Sequence, residues 1–302
     1  MTLYKPVYLP LLLLLGNLCY FSSIKAEDTP PPPIPDTEIY LFDVVYQGKT
    51  IRLKNVKNIS NHPGYDNQPF FTPADHSILF ASQRDGKQTD IYEYFIDSKQ
   101  LKPLTQTPFM EYSPMTTADN QTITFVRDGE NPNQTIWKMD RQTGKSESAI
   151  PSLEPVGYYA FNHNNQDLLF WSRYGFNVTY LDLEKKTEFF VSGHAIPSSP
   201  KLIPNNHQFS FVHRQTNETV WIKAFNPENK TIRPILAING SNYDYCWTPK
   251  GNLLRAEGTM LYLGNEKSGW ARVLDLKGFG LHRVTRLALS SDGKKLAVVD
   301  NP

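Results

Sequence analysis

Only two cysteines stand in the 302 residues, Cys19 and Cys246. Cys19 lies in the leader described below, so one thiol remains and no internal disulfide can staple the folded chain. A surplus of charge is missing too, with 31 basic residues facing 30 acidic ones. A nucleic-acid partner calls for a basic excess to neutralise phosphates, and is excluded on that ground. No apolar run reaches the roughly 20 residues of a membrane-spanning helix. The longest, "VYLPLLLLLGNLCYF" at 7–21, is broken by Pro10 and Asn17. Helical periodicity of any length is absent. No Gly-x-Ser-x-Gly elbow occurs, which excludes a serine hydrolase of the α/β kind. The seven histidines (His62, His76, His163, His194, His207, His213 and His282) include no His-x-x-x-His pair, so no helical zinc site is written in the chain.

What is present begins with an address. Lys5 precedes the apolar run, and "SSIKA" puts Ile24 and Ala26 at the positions before a cut. Residues 1–26 therefore read as a signal peptide, cleaved after Ala26, which directs the protein to the periplasm or outside the cell. Cleavage takes away Lys5 and Lys25 and leaves 29 basic against 30 acidic residues, with no integral membrane span. Residues 27–36 contain four consecutive prolines and read as an extended spacer.

The remainder, 37–302, is a repeat. The stretch "FASQRDGKQTDIYEY" at 80–94 is an apolar run, a polar turn and an alternating run, the chemistry of a hairpin. It returns as "TFVRDGENPNQTIWKMD" at 124–140. Six segments align without a gap: "PFFTPADHSILF", "PMTTADNQTITF", "YAFNHNNQDLLF", "PKLIPNNHQFSF", "DYCWTPKGNLLR" and "LALSSDGKKLAV". Their first residues, Pro69, Pro114, Tyr159, Pro200, Asp244 and Leu287, are 45, 45, 41, 44 and 43 residues apart. Each unit carries four short strands separated by turns rich in Asp, Asn and Gly. Four strands per 41 to 45 residues is the arithmetic of a β-propeller, and six units predict six blades.

The sixth unit stops after two strands. Its missing half is at the other end, where "TEIYLFDVV" (37–45) alternates like a third strand and "GKTIRLKN" (48–55) like a fourth. The N-terminal strands are thus expected to complete the last blade and close the ring, which covers two edges that would otherwise be exposed.

The first unit resembles the TolB-type, WD-like propeller repeat of bacterial envelope proteins. Pro69, Thr72-Pro73, 78–80, Ser82, Arg84-Asp85-Gly86 and Asp90-Ile91-Tyr92 stand where that pattern places them. The second keeps Pro114, Phe125, Arg127-Asp128-Gly129 and Ile136-Trp137, whereas the others keep the turn and the apolar triad, which Arg255 interrupts. The resemblance covers 37–302 and includes no separate domain before the propeller. It implies an exported, non-enzymatic module, monomeric and without a cofactor. Its partner would be an envelope protein or peptide segment, or a small polar ligand. Some propeller lyases and lactonases hold a metal in the central channel with residues from several blades, so a metal-dependent enzyme is the alternative.

One loop per blade leads into each innermost strand, so these loops are expected to converge at one mouth. They carry Tyr65, Asp66, Glu111, Tyr112, Tyr158, Ser198, Ser199, Tyr243, Arg283 and Arg286. Tyrosine and arginine dominate binding hot spots. The expectation is a wet funnel of both charge signs, built on Tyr65, Asp66, Glu111, Tyr112, Tyr158, Tyr243, Arg283 and Arg286. The remaining features read as structural. Arg84 and Arg127 are expected to bond nearby backbone, and His76, His163 and His207 to be solvated turn residues apart from one another. Cys246 reads as a buried small hydrophobe, and the seven Asn-x-Ser/Thr triplets as products of turn chemistry.

Overall fold

The apolar triads become the second strand of each blade, and the reason they are apolar throughout is visible in their surroundings. The second strand is covered on both faces by neighbouring blades, so it cannot alternate. In "SILFAS" every residue is buried. The outermost strand "TIRLKNVKN" meets solvent on one face and reads exposed–buried–exposed–buried at its start. The structure is a computed structural model and describes residues 35–47, 50–84, 86, 88–129, 134–150 and 155–302. The expected signal peptide and most of the spacer lie outside the described residues.

The described chain forms six four-stranded antiparallel sheets. Blade 1 is β3 (Asp66–Phe71), β4 (Ser77–Ser82), β5 (Asp90–Phe95) and β6 (Leu101–Pro103). Blade 2 is β7 (Glu111–Thr116), β8 (Thr122–Asp128), β9 (Gln134–Asp140) and β10 (Ser146–Ile150). Blade 3 is β11 (Val156–Phe161), β12 (Asp167–Ser172), β13 (Val178–Asp182) and β14 (Thr187–Ser192). Blade 4 is β15 (Lys201–Leu202), β16 (Phe209–Arg214), β17 (Val220–Asn226) and β18 (Thr231–Ile238). Blade 5 is β19 (Tyr245–Trp247), β20 (Leu253–Glu257), β21 (Met260–Asn265) and β22 (Gly269–Asp275). Blade 6 joins both ends of the chain in the order β2 (Thr50–Asn58), β1 (Glu38–Gln47), β24 (Lys295–Asp300), β23 (Val284–Leu289). No α-helix occurs among the described residues, only two short 3-10 turns.

The closure follows the sequence expectation. Leu41 faces Ala297 and Phe42 faces Leu296 across β1 and β24, and Leu289 faces Leu296 across β23 and β24. The turns after the innermost strands take left-handed backbone at Ala74, Asp75, Asn120, Asn165, Asn205, Gly251 and Gly293, the positions that the repeat assigns to turn formers.

The core is six cores. One cluster of buried apolar side chains fills each junction between neighbouring blades. Leu79, Ala81 and Ile91 of blade 1, for example, meet Ile123, Phe125 and Met139 of blade 2. The ring closes on two such clusters: blade 5 with blade 6 around Leu254, Leu261, Phe42 and Val298, and blade 6 with blade 1 around Ile39, Val299, Ile78 and Phe80. Polar locks cross the same junctions. Arg141 of blade 2 makes two 2.9 Å hydrogen bonds to the buried Glu93 carboxylate of blade 1. Asp75 of blade 1 accepts from Ser291 N–H (2.9 Å), Ser291 Oγ (2.7 Å) and Asp292 N–H (3.1 Å) of blade 6.

Three local expectations are refined. Arg84 does donate to a backbone carbonyl, that of Ser60 (2.8 Å), but it also donates to Ser82 Oγ (3.0 Å). Arg127 packs its guanidinium over the rings of Phe109 (3.8 Å) and Trp137 (4.2 Å), a cation–π sandwich. His163 and His207 are not apart: their rings meet edge to face at 6.5 Å, because adjacent blades bring corresponding turns side by side.

Candidate functional site

The central channel is built by the innermost strands, each of which ends its sheet and turns a free edge to the axis. Proline at Pro69, Pro114 and Pro200 suits that position, where a backbone N–H has no strand partner to serve. The pairing register breaks around Pro69, between Asn67 and Phe70, around Pro114, between Tyr112 and Met115, and in β23 between Val284 and Arg286. The breaks are bulges, which re-aim side chains. Gln68 and Ser113 sit in them with left-handed backbone, and Gln68 Oε1 accepts the Ser113 N–H at 2.7 Å. On β11 the corresponding break surrounds Gly157. A Cβ on Gly157 would lie 2.5 Å from the Trp171 ring, so only glycine lets β11 approach that ring.

A side chain crosses the channel. Arg286 of blade 6 donates from Nη2 to the hydroxyl of Tyr158 in blade 3, the opposite blade, at 2.7 Å. Its guanidinium also lies 4.8 Å from the Tyr158 ring centre. Asp244 of blade 5 stands 3.9 Å from Nη1 and accepts the Leu287 N–H at 2.8 Å. Tyr65 and Tyr112 stack edge to face beside this strut, with ring centres 6.2 Å apart, and Tyr65 interacts electrostatically with both Arg286 and Tyr158. Burial pushes the Tyr65 and Tyr112 hydroxyls up, so both are neutral groups.

Of the eight residues expected at the mouth, four thus meet in the throat: Tyr65, Tyr112, Tyr158 and Arg286. The other four do not. Asp66 is 1 % exposed and lies 3.5 Å from Arg84. Glu111 is fully buried and accepts from Thr107 Oγ1 at 2.9 Å. Neither carboxylate meets a wet funnel. Burial pushes each up to about 7. Tyr243 packs on the cluster between blades 4 and 5. The Arg283 side chain is exposed, while its backbone N–H donates to Asp300 at 2.7 Å.

From the strut the channel opens toward the turns that follow the innermost strands. There a cavity of about 510 Å³ takes wall residues from all six blades. Phe71, Met115, Leu202, Trp247 and Leu289 make much of it apolar, and Gln68, Ser113, Ser199, Asp244 and Arg286 supply polar groups at the strut end. Cys246 is in the wall, and burial pushes its thiol up to about 12, so it is a small hydrophobe at neutral pH. Of the eight residues expected at the mouth, Arg286 alone is in this wall. The expected site residues stand before the repeat anchors, whereas most of the wall is made by the anchors themselves and the residues after them. Prolines at three of the six anchors were the available signal. Among the described residues no group of three His, Cys, Asp or Glu side chains is placed to hold a metal ion.

No family model matches the chain, and no curated protein does. Solved structures do. TolB from Acinetobacter baumannii is 13% identical with a TM-score of 0.58, over 89% of this chain and 65% of that one. The chain therefore spans a little less than two thirds of that protein. A putative TolB from Agrobacterium tumefaciens is 12% identical with a TM-score of 0.67, over 88% and 98% of the two chains. An oligogalacturonate lyase in complex with manganese is 13% identical with a TM-score of 0.55, over 84% and 83%. At such identities a likeness reaches the fold and no further, and the fold of this chain is that of a TolB-like six-bladed propeller.

Proposed function

We propose that this protein is an exported, non-enzymatic binding module that takes a protein segment or a small polar ligand into its central channel. The cavity that all six blades wall carries this reading. Its volume falls within the roughly 300–1,000 Å³ of pockets that bury a ligand, and its wall combines apolar side chains with the Arg286 guanidinium. Arg286, held by Tyr158 from the opposite blade, forms the floor on which a ligand stops. Export rests on the leader at 1–26. No helix among the described residues is long and apolar enough to cross a membrane.

The test is crosslinked capture of partners in the native host, with the wild type compared with Ala118→Trp and Ser199→Phe. Ala118 is exposed at the rim and Ser199 half-buried in the wall, so both variants fill space without unpacking a junction. Capture is lost in both variants if the channel is the site, and capture at full strength in both places binding elsewhere. Protein purified from that host should begin at Glu27 by mass spectrometry. A chain that retains residues 7–21 ends the export reading.

The manganese-bound lyase among the structural neighbours favours one second reading, a metal-dependent enzyme acting in the same channel. Elemental analysis of the purified protein separates the two. A stoichiometric transition metal or calcium ion overturns the binding-module reading.

A further inference from the structure

We infer that the cavity receives the free C-terminal end of a polypeptide. The terminal carboxylate lands on Arg286, and the last side chains lie on the apolar wall. This rests on the channel being the binding site.

The first support is unspent donor capacity. A guanidinium carries five N–H donors in a planar fork that matches a carboxylate. Among the described residues Arg286 makes one hydrogen bond, to the Tyr158 hydroxyl. Asp244 at 3.9 Å is beyond hydrogen-bond reach. Lys201 adds a second positive charge to the wall. Of the acids there, Asp75 accepts three hydrogen bonds from blade 6, and Asp244 holds the Leu287 N–H with one oxygen while the other faces Arg286 at 3.9 Å. An incoming carboxylate therefore meets guanidinium N–H donors that no hydrogen bond occupies, with Asp244 as the one acid beside them among the described residues.

The second support separates a peptide from a fatty acid. Beyond its apolar wall the cavity is lined by six innermost strands, each the free edge of its sheet. Edge N–H and C=O groups pair readily with another extended chain. An acyl chain can satisfy none of them and would bury them at a cost. A peptide brings matching backbone groups along with apolar side chains. The cavity is small enough that only the last few residues of a chain fit, which leaves a terminus as the group that reaches Arg286.

The experiment uses two pools of labelled hexapeptides whose last four positions are drawn from Leu, Val, Phe and Ala. One pool has free-acid termini and the other amides. Binding to the full chain is read by fluorescence anisotropy. The acid pool is expected to bind, and the amide pool to bind roughly ten- to hundredfold more weakly, the worth of a charge-assisted hydrogen-bonded pair. Arg286→Met lowers the acid pool to the amide level and Arg286→Lys restores part of the difference, with thermal melts confirming that both variants fold. Equal binding of the two pools overturns the inference, as does binding of neither. Displacement of the acid pool by decanoate as effectively as by unlabelled peptide also overturns it, because it identifies an acyl ligand. The channel reading fails separately, if Ala118→Trp binds both pools as the wild type does.

Discussion

At the scale of single residues, the chain is most unusual in its buried carboxyls. Asp66 and Glu111 occupy corresponding positions in blades 1 and 2, and in each one oxygen has no hydrogen-bond partner among the described residues. Burial raises both to about 7, against an unfolded value near 4. The folded chain thus holds two protons that the unfolded chain has already released. By linkage, the stability these groups contribute is fully present below about pH 4 and is lost as pH rises through about 7. Raising the pH from 5 to 8 should lower the unfolding free energy by about 2 kcal/mol or more for the pair. Urea titrations across that range check it. Asp66→Asn with Glu111→Gln should flatten the profile, and an unchanged profile in that variant rejects the assignment. A second residue-scale contrast concerns ion pairs. Arg141→Met leaves the buried Glu93 carboxylate without its two-pronged partner and should cost about 3 kcal/mol. Lys138→Met breaks an exposed pair with Glu147 and should cost less than about 1 kcal/mol. Chemical denaturation of the two variants side by side reads the difference.

At the scale of elements, the repeat was legible because each strand answers to a local rule. Turn residues fall where the backbone turns left-handed, and second strands are apolar because two blades cover them. Even the Asn-x-Thr triplets have a local reason. Asn217 and Asn229 each accept from the N–H and hydroxyl of the Thr two residues on, as Asx turns do. The candidate site was half legible. Convergence of the loops follows from the fold, which brought Tyr65, Tyr112, Tyr158 and Arg286 together. Which end of the channel stays open does not follow, because one arginine meeting one tyrosine from the far blade decides it. No periodicity marks such a pair. Nor does the sequence tell that Asp66 and Glu111 turn into blade junctions, since a bulge of one residue sends neighbours to opposite sides. The closing blade carries the element-scale prediction. In β24, 296–299 are fully buried and pair with β1 on one side and β23 on the other. Deleting 296–302 removes apolar burial worth about 1.5–3 kcal/mol for each large side chain and opens two strand edges. The loss rivals a typical total stability of about 5–15 kcal/mol. Size-exclusion chromatography and thermal melting should find aggregated or unfolded protein. A truncated chain melting at the wild-type temperature would show that the blade does not depend on its C-terminal strand.

At the scale of the whole molecule, a ring of six blades is held by nearest-neighbour junctions, and contact across the diameter is a different kind of link. Arg286 and Tyr158 make one, and the same guanidinium is the group on which a ligand is proposed to land. Strut and ligand then draw on one side chain. Tyr158→Phe tests this with little disturbance, because the ring keeps its packing against Trp171 (5.7 Å between centres) and loses only the hydroxyl. The missing hydrogen bond to a charged donor should cost about 2 kcal/mol of stability, with an unchanged denaturant slope because the surface exposed on unfolding stays the same. A cost of several kcal/mol with a changed slope would instead make the strut part of what holds the ring shut. If the strut yields to the ligand, freeing Arg286 removes a cost that binding otherwise bears, and the free-acid peptide pool should bind several-fold more tightly to Tyr158→Phe than to the wild type. Weaker binding would mean that the tyrosine hydroxyl positions the guanidinium for the ligand, so that strut and ligand cooperate across the channel. The anisotropy measurement on this one variant separates the two arrangements.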